Sequence, residues 1–175
     1  MYTMKKFSYL SSIFLFTCGF AFGSPSSDPV PSSDAFHKSV RVETTNEGSV
    51  YYLNVQPQYL NDIINGKKIF EGRLNLPTFK DMQQGDHVIF ADNNKRIAIC
   101  SITSVARYPD FTKMLVSCGV LNMLPQIDPN SNSSIEMVTK GDEIYRSFPG
   151  YSEGEKIYGT LAIGIHYISV EAIEK

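Results

Sequence analysis

The stretch "NGKKIFEGRLN", Asn65 to Asn75, concentrates four charged residues around a single phenylalanine, which is unusual for an ordinary buried strand. If it is a strand, the period of two places Glu71 and Arg73 side by side on one face, and Lys68 and Gly72 on the other. A glycine inside a strand lets another group approach the backbone closely. The segment therefore predicts either a solvated sheet edge or the wall of a pocket.

A helix is predicted directly before this strand. Pro57 suits a first helical turn, and Gly66 suits the left-handed position just after the last one. Between them, one helix face carries four apolar residues: Tyr59, Leu60, Ile63 and Ile64. Lys68 then follows a helix end, where the helix dipole favours a positive charge. A surface lysine at this end is the alternative to a lysine in a pocket.

The rest of the chain alternates strand and turn signals, with helical patterns concentrated in one block. Strands are predicted over residues 49–55, 87–91, 96–108 and 159–169, in addition to the opening stretch. The helical patterns lie between the last two of these strands, from the N-cap candidate Asp110 onward. The arrangement predicts an α+β fold: a small, mostly antiparallel β-barrel of five to six strands with a helical insertion before the last strand.

The N-terminus has the pattern of a secretory signal peptide over residues 1–23. Lys5 and Lys6 supply the positive charge, Phe7–Gly23 supplies the mostly apolar segment, and cleavage is expected before Ser24. We therefore expect an exported protein, periplasmic or secreted. A buried N-terminal helix and a lipoprotein site at Cys18 are the alternatives.

Three further segments complete the predicted organisation. Residues 24–49 are rich in Ser, Pro, Asp and Thr and are predicted to be a flexible linker. Residues 50–169 form the expected domain, and residues 170–175 a C-terminal tail. No apolar run is long enough to cross a membrane.

Net charge and the absence of known motifs exclude several functions. The full chain has a formal charge of −2; removing Lys5 and Lys6 from 16 basic residues leaves 14 against 18 acidic ones, or −4. This sign does not suit a protein that coats nucleic acid by long-range attraction, so any nucleic-acid contact must be local. No serine-nucleophile signature and no phosphate-binding glycine loop is present.

Cysteine and histidine usage predicts neither a metal site nor a cofactor. The three histidines are scattered, and no Cys/His spacing resembles that of a metal site. Cys100 and Cys118 remain after signal cleavage, and could pair in an exported protein. Two buried free thiols are the favoured alternative, since sequence cannot place the two Cα atoms within bonding range.

Four blocks in order resemble ASCH domains of the helix-inserted type, which are members of the PUA-like superfamily. The opening stretch matches the G-x-K-x-x-E-x-R signature, and "GDHVIF", "RYPDFTKMLVSCGVLNMLP" and "YSEGEKIYGTLAIGI" follow it. The resemblance spans residues 51–168. It implies a PUA-like β-barrel with a cleft beside the motif strand, and RNA or nucleotide-type ligands.

The resemblance also implies candidate site residues. Gly66, Lys68 and Arg73 fall on shared motif positions, and Glu71 matches the common ASCH glutamate. One bacterial branch of the family hydrolyses N4-acylated cytidine with a Lys, a Thr and a Glu, and Glu71 stands where that branch has its threonine. Lys68 and Glu71 are thus the candidate catalytic pair.

Lys68, Glu71, Arg73, Gly66 and Tyr108 are the predicted ligand-binding residues. Tyrosines within two positions of a charged residue can stack on bases. Besides Tyr108, the chain has three more in this setting: Tyr145, Tyr151 and Tyr158.

The sequence leaves three functions open. The first is binding of RNA, a nucleotide or a nucleoside-type small molecule in the predicted cleft. The second is an amidohydrolase acting on N4-acylated cytidine or a similar nucleoside. The third is a protein-interaction module, although the sequence identifies no protein partner. We expect a monomer.

Overall fold

The computed structural model describes residues 40–46, 48–130 and 132–172. The predicted signal peptide, most of the predicted linker and the end of the predicted tail lie outside these residues. Within them, six strands and five α-helices form one α+β fold. No helix in the described ranges combines the length and apolar character of a membrane span.

The six strands form one mixed sheet. In chain order they are β1 (Val40–Thr45), β2 (Gly48–Asn54), β3 (Phe70–Leu74), β4 (His87–Ala91), β5 (Arg96–Tyr108) and β6 (Thr160–Ala172). Their order in the sheet is β1-β2-β4-β5-β6-β3, and only the β2–β4 pair is parallel. The predicted α+β fold with mostly antiparallel strands is confirmed. The sheet is open rather than closed, since β1 and β3 form its two edges.

The first strand corrects the predicted linker, because Val40–Thr45 lies inside the range expected to be flexible. The segment alternates valine with polar residues and ends in two threonines, a composition that favours strands. It pairs in antiparallel register with β2 from Val40–Leu53 to Thr45–Gly48. Residues 24–49 are polar on average, so their composition did not indicate that the last few of them form a strand.

The helices are α1 (Pro57–Ile64), α2 (Phe111–Cys118), α3 (Val120–Met123), α4 (Ser134–Arg146) and α5 (Tyr151–Tyr158). As predicted, α1 starts at Pro57, and Gly66 follows it with a φ of 68°. Asp110 caps α2 by accepting a hydrogen bond from the Lys113 backbone N–H. The last helix, α5, spans eight residues, about two turns, and Gly159 follows it as the C-cap.

The helical block between β5 and β6 packs against the edge strand β3. A Cβ on Gly72 would lie 2.3 Å from the hydroxyl of Tyr145 on α4. A Cβ on Gly154 of α5 would lie 2.4 Å from Cδ1 of Leu74. Because these two positions are glycines, α4 and α5 can pack closely against β3. The two helices therefore cover one face of the strand that carries the charged motif.

Candidate ligand-binding site

A cleft of about 450 Å³ opens beside β3, within the size range of small-molecule sites. Its walls come from β2, α1, β3 and the segment that joins α4 to α5. Charged, amide and aromatic side chains are all represented among the lining residues: Asn54, Val55, Gln56, Tyr59, Lys68, Glu71, Gly72, Arg73, Asn93, Leu124, Tyr145, Phe148, Pro149 and Tyr151.

Lys68 is buried, with only 3% of its surface exposed. Its ammonium lies 3.2 Å from Oε2 of Glu71 and donates a hydrogen bond to the carbonyl of Met123 at the end of α3. It also lies 5.3 Å from the centre of the Tyr59 ring, in cation–π range. Burial lowers the pKa of Lys68 below its usual value, although the carboxylate of Glu71 opposes this shift.

The position of Lys68 corrects two expectations. The alternative of a surface lysine is wrong, and so is its placement on the opposite strand face from Glu71. The strand begins only at Phe70, so the period of two does not extend back to Lys68. Ile69 takes the exposed position instead, at 41% exposure, while Lys68 turns inward.

Glu71 is the centre of the charged group. Its Oε1 accepts a hydrogen bond of 2.7 Å from Nε of Arg73, and its Oε2 faces Lys68. Burial alone would raise the pKa of this carboxyl, but the two neighbouring cations and their hydrogen bonds outweigh it, so the pKa is lowered. Glu71 is therefore ionised at neutral pH and holds both cations in place.

Arg73 completes the array at the mouth of the cleft, with 17% of its side chain exposed. Its guanidinium also donates to the backbone carbonyl of Asn54 on β2, at 2.6 Å. Burial would lower the pKa of Arg73, but Glu71 outweighs that effect and raises it. Arg73 is thus a fixed cation, oriented by one carboxylate and one carbonyl.

Aromatic rings surround the charged array. Tyr145 stacks on Phe111, with ring centres 4.7 Å apart and planes within 1° of parallel. Phe111 in turn stacks on Tyr151, with centres 5.7 Å apart. The cleft thus combines fixed charges with planar side chains, a combination that can hold a ligand with an anionic group and a flat ring.

The structure brings three of the five predicted ligand-binding residues together: Lys68, Glu71 and Arg73. Gly66 does not line the cleft; it terminates α1, and open space surrounds the position where a Cβ would stand. Tyr108 does not line it either, since its hydroxyl lies 2.9 Å from Oγ of Ser117. Its position after Arg107 in the sequence gave no indication that it packs against α2.

Tyr145 and Tyr151 line the cleft, whereas Tyr158, the remaining tyrosine noted in the sequence, does not. Tyr59 also lines the cleft, although its place on the apolar face of α1 predicts only core packing. Its ring is buried, yet the ammonium of Lys68 lies over the ring, 5.3 Å from its centre. No sequence signal distinguishes such a residue from an ordinary core tyrosine.

A second and larger groove, about 690 Å³, lies between α2, α3 and α4. Its lining contains no charged side chain, so it lacks groups for acid–base chemistry or for binding ions. In the described residues, no group of three or more His, Cys, Asp or Glu side chains could hold a metal ion. Cys100 and Cys118 are both buried free thiols. The cleft at β3 is therefore the better candidate site.

The structure is thus an α+β domain with an open mixed sheet, a helical block before the last strand and a charged cleft at the edge strand β3. The sequence model of the ASCH domain matches residues 53–169. The chain therefore belongs to the ASCH domain family, which is generally linked to RNA binding.

Three solved structures are similar to the chain. The crystal structure of the hypothetical protein PH0355 is similar at 31% identity and a TM-score of 0.56, over 67% of this chain and 97% of that protein. Protein PF0455 from Pyrococcus furiosus is similar at 26% identity and a TM-score of 0.46, over 68% and 97%. The ASCH protein from Zymomonas mobilis shares 10% identity over 72% and 88%, with a TM-score of 0.43. Among curated proteins, none matches the chain.

Proposed function

We propose that this ASCH domain binds RNA, a nucleotide or a nucleoside-type ligand in the cleft formed by Lys68, Glu71 and Arg73. The observation that carries the proposal is the buried ion-pair array opening onto a cavity of about 450 Å³. Burying three charged side chains costs free energy even when they are paired. A fold that retains them at the wall of a cavity is better explained by recognition than by stability.

The composition of the walls favours a nucleotide-type ligand. Arg73 presents a planar cation that can stack on a base or contact a phosphate. Tyr151 supplies a half-buried ring of the kind that stacks on bases, and the buried rings of Tyr59 and Tyr145 complete the wall. The chain as a whole is acidic, so attraction must come from the cleft itself rather than from a basic surface.

Binding is tested with purified protein and a panel of mononucleotides, nucleosides and short single-stranded RNAs. Thermal shift identifies ligands, and calorimetry then measures Kd for the wild type and Arg73→Ala. We expect Arg73→Ala to weaken binding at least tenfold, because it removes the cation at the mouth of the cleft. Circular dichroism checks that the variant stays folded.

Arg41→Ala is the matched control. Arg41 also pairs with a glutamate two residues away and also contacts a tyrosine, but it lies on β1, outside the cleft. Its removal should leave Kd unchanged. The proposal fails if no member of the panel raises the melting temperature, or if the two variants weaken binding equally.

A second candidate, hydrolysis of N4-acylated cytidine, is favoured by one observation, the lowered pKa of Lys68. A buried amine that loses its proton more easily than usual can serve as a base. The reaction would consume one water and release a carboxylic acid and cytidine. In this candidate Lys68 and Glu71 are the catalytic pair.

Incubation with N4-acetylcytidine, followed by chromatography, tests the second candidate. We expect turnover by the wild type to disappear in Lys68→Ala. The adjacent and exposed Lys67 provides the control variant Lys67→Ala, which should retain the wild-type rate. Absence of turnover in a folded wild-type sample, or equal rates in all three proteins, rules this activity out.

We also propose that the protein is exported after cleavage before Ser24, on the strength of the signal-like pattern in residues 1–23. The mass of the mature protein and its N-terminal sequence, obtained from cells that express the full chain, test this. An uncleaved chain retained in the cytoplasm would contradict it.

A further inference from the structure

The hydroxyl of Tyr145 is the one buried side-chain polar atom among the described residues that has no hydrogen-bond partner. Only 3% of the residue is exposed, and its ring is held between Gly72 and the stacked ring of Phe111. Nearly all buried polar groups in native proteins are paired, and an unpaired one destabilises the fold. An exception at the wall of a cleft suggests that the partner is a ligand.

The strand next to the hydroxyl is shaped to accommodate it. A Cβ at residue 72 would lie 2.3 Å from the Tyr145 oxygen and 2.8 Å from Cε of Met114, so only glycine leaves room. Gly72 stands between Glu71 and Arg73 in the motif, and all three residues line the cleft together with Tyr145. Tyr145 and the charged array therefore line one and the same cleft.

The surrounding charges indicate what the hydroxyl binds. The two cations, Lys68 and Arg73, face one carboxylate, so the array has a formal charge of +1. Each oxygen of Glu71 already faces one of these cations, so its negative charge is balanced within the array. Burial raises the pKa of Tyr145 well above its usual value, so its hydroxyl stays protonated and able to donate.

We propose that Tyr145 donates a hydrogen bond to an anionic oxygen of the ligand, and that the cleft therefore selects a nucleoside monophosphate over the uncharged nucleoside. The phosphate lies between Arg73 and the Tyr145 hydroxyl, and the base contacts the aromatic wall. This inference rests on the proposed nucleotide-type binding, and adds to it the ligand's charge and one further specificity-determining residue.

The test compares Tyr145→Phe with the wild type in two measurements. The first is Kd for 5′-CMP, cytidine and inorganic phosphate, by calorimetry. We expect the wild type to prefer CMP over cytidine, and Tyr145→Phe to bind CMP about ten- to a hundredfold more weakly, as for loss of a hydrogen bond to a charged group. Affinity for cytidine should change little, and inorganic phosphate shows how much the anion contributes alone.

The second measurement is the melting temperature without ligand. Tyr145→Phe should melt at the same or a higher temperature, because it removes an unpaired buried hydroxyl. Tyr52→Phe is the matched control, since the Tyr52 hydroxyl donates to Glu43 at 2.9 Å and lies outside the cleft. It should melt at a lower temperature and bind CMP like the wild type.

The outcomes separate the two proposals. If the wild type binds CMP and Tyr145→Phe binds it equally well, the role of Tyr145 is overturned while nucleotide binding stands. If cytidine binds as tightly as CMP, the preference for an anion is overturned. If neither CMP, cytidine nor short RNA binds, the proposed function fails and this inference with it. A melting temperature lowered in Tyr145→Phe would show that the hydroxyl serves the fold.

Discussion

Replacing Glu71 by glutamine removes one negative charge and leaves the shape of the side chain nearly unchanged. In the wild type the carboxylate bonds Arg73 through Oε1 and faces the ammonium of Lys68 at 3.2 Å. Glutamine can keep an acceptor for only one of these cations. The variant therefore leaves the ammonium of Lys68 without its counter-charge, although Lys68 is buried with only 3% of its surface exposed.

The expected loss of stability follows from this burial. Breaking a buried ion pair by removing one partner costs about 3–5 kcal/mol. Because glutamine preserves packing and one hydrogen bond, we expect the lower end, about 3 kcal/mol in the free energy of unfolding. With a urea m-value of about 1–3 kcal/mol per M, the midpoint should fall by about 1–3 M.

Urea unfolding followed by circular dichroism at pH 7 measures the effect, with Glu43→Gln as the control. Glu43 pairs with Arg41 at the same two-residue spacing as Glu71 and Arg73, but the side chains are 39% and 57% exposed. An exposed pair contributes at most about 1 kcal/mol, so this variant should unfold close to the wild type.

The reasoning is refuted if Glu71→Gln and Glu43→Gln lose equally little stability. That result would mean that Lys68, Glu71 and Arg73 do not form one buried array in solution. Unchanged m-values in both variants are required for the comparison, because a changed m-value would indicate a different unfolded or native state.

Three further predictions concern the same site and the core. Gly72→Ala should destabilise by about 1–3 kcal/mol through overpacking against Tyr145, and by less in a Tyr145→Phe background, as measured by urea unfolding. The pKa of Glu71 lies below its usual 4.5 in the folded protein, so the stability that Glu71 contributes is complete above about pH 4.5 and is lost as pH falls through the lowered pKa. The unfolding free energies of the wild type and Glu71→Gln should therefore converge in acid. A constant difference between them down to about pH 3 would contradict this. Burial raises the pKa of Cys100 to about 12, so this thiol should resist alkylation at pH 8 in the native protein and react once guanidinium unfolds the chain. Mass spectrometry detects the label, and rapid labelling of the native protein would show that the thiol is accessible.

Local sequence patterns predicted much of the fold. Pro57 and Gly66 bound α1 as expected, and Asp110 caps α2, because each of these residues acts on backbone within a few positions of itself. The strands at 87–91 and 96–108 likewise follow from alternation and from the turn between them. β1 was missed because its few strand-forming residues stand next to a long polar segment.

The candidate site was predictable only in part. Glu71 and Arg73 were expected to be neighbours, since strand geometry alone places alternate residues side by side. That Lys68 joins them depends on where the strand begins and on the carbonyl of Met123, which α3 brings from far along the chain. Tyr108, a predicted ligand-binding residue, lies outside the cleft, because adjacency to a charged residue does not indicate which neighbour a ring packs against.

By itself the sequence determined most of the strands and helices, the family and the presence of a charged motif strand, because these depend on short-range periodicity, caps and residue order. Only the tertiary structure decided that Lys68 is buried, that the sheet stays open, and that Gly72 makes room for the unpaired hydroxyl of Tyr145. The reason is physical: desolvation and close packing arise between side chains that are distant in sequence, and no local pattern records which of them will meet.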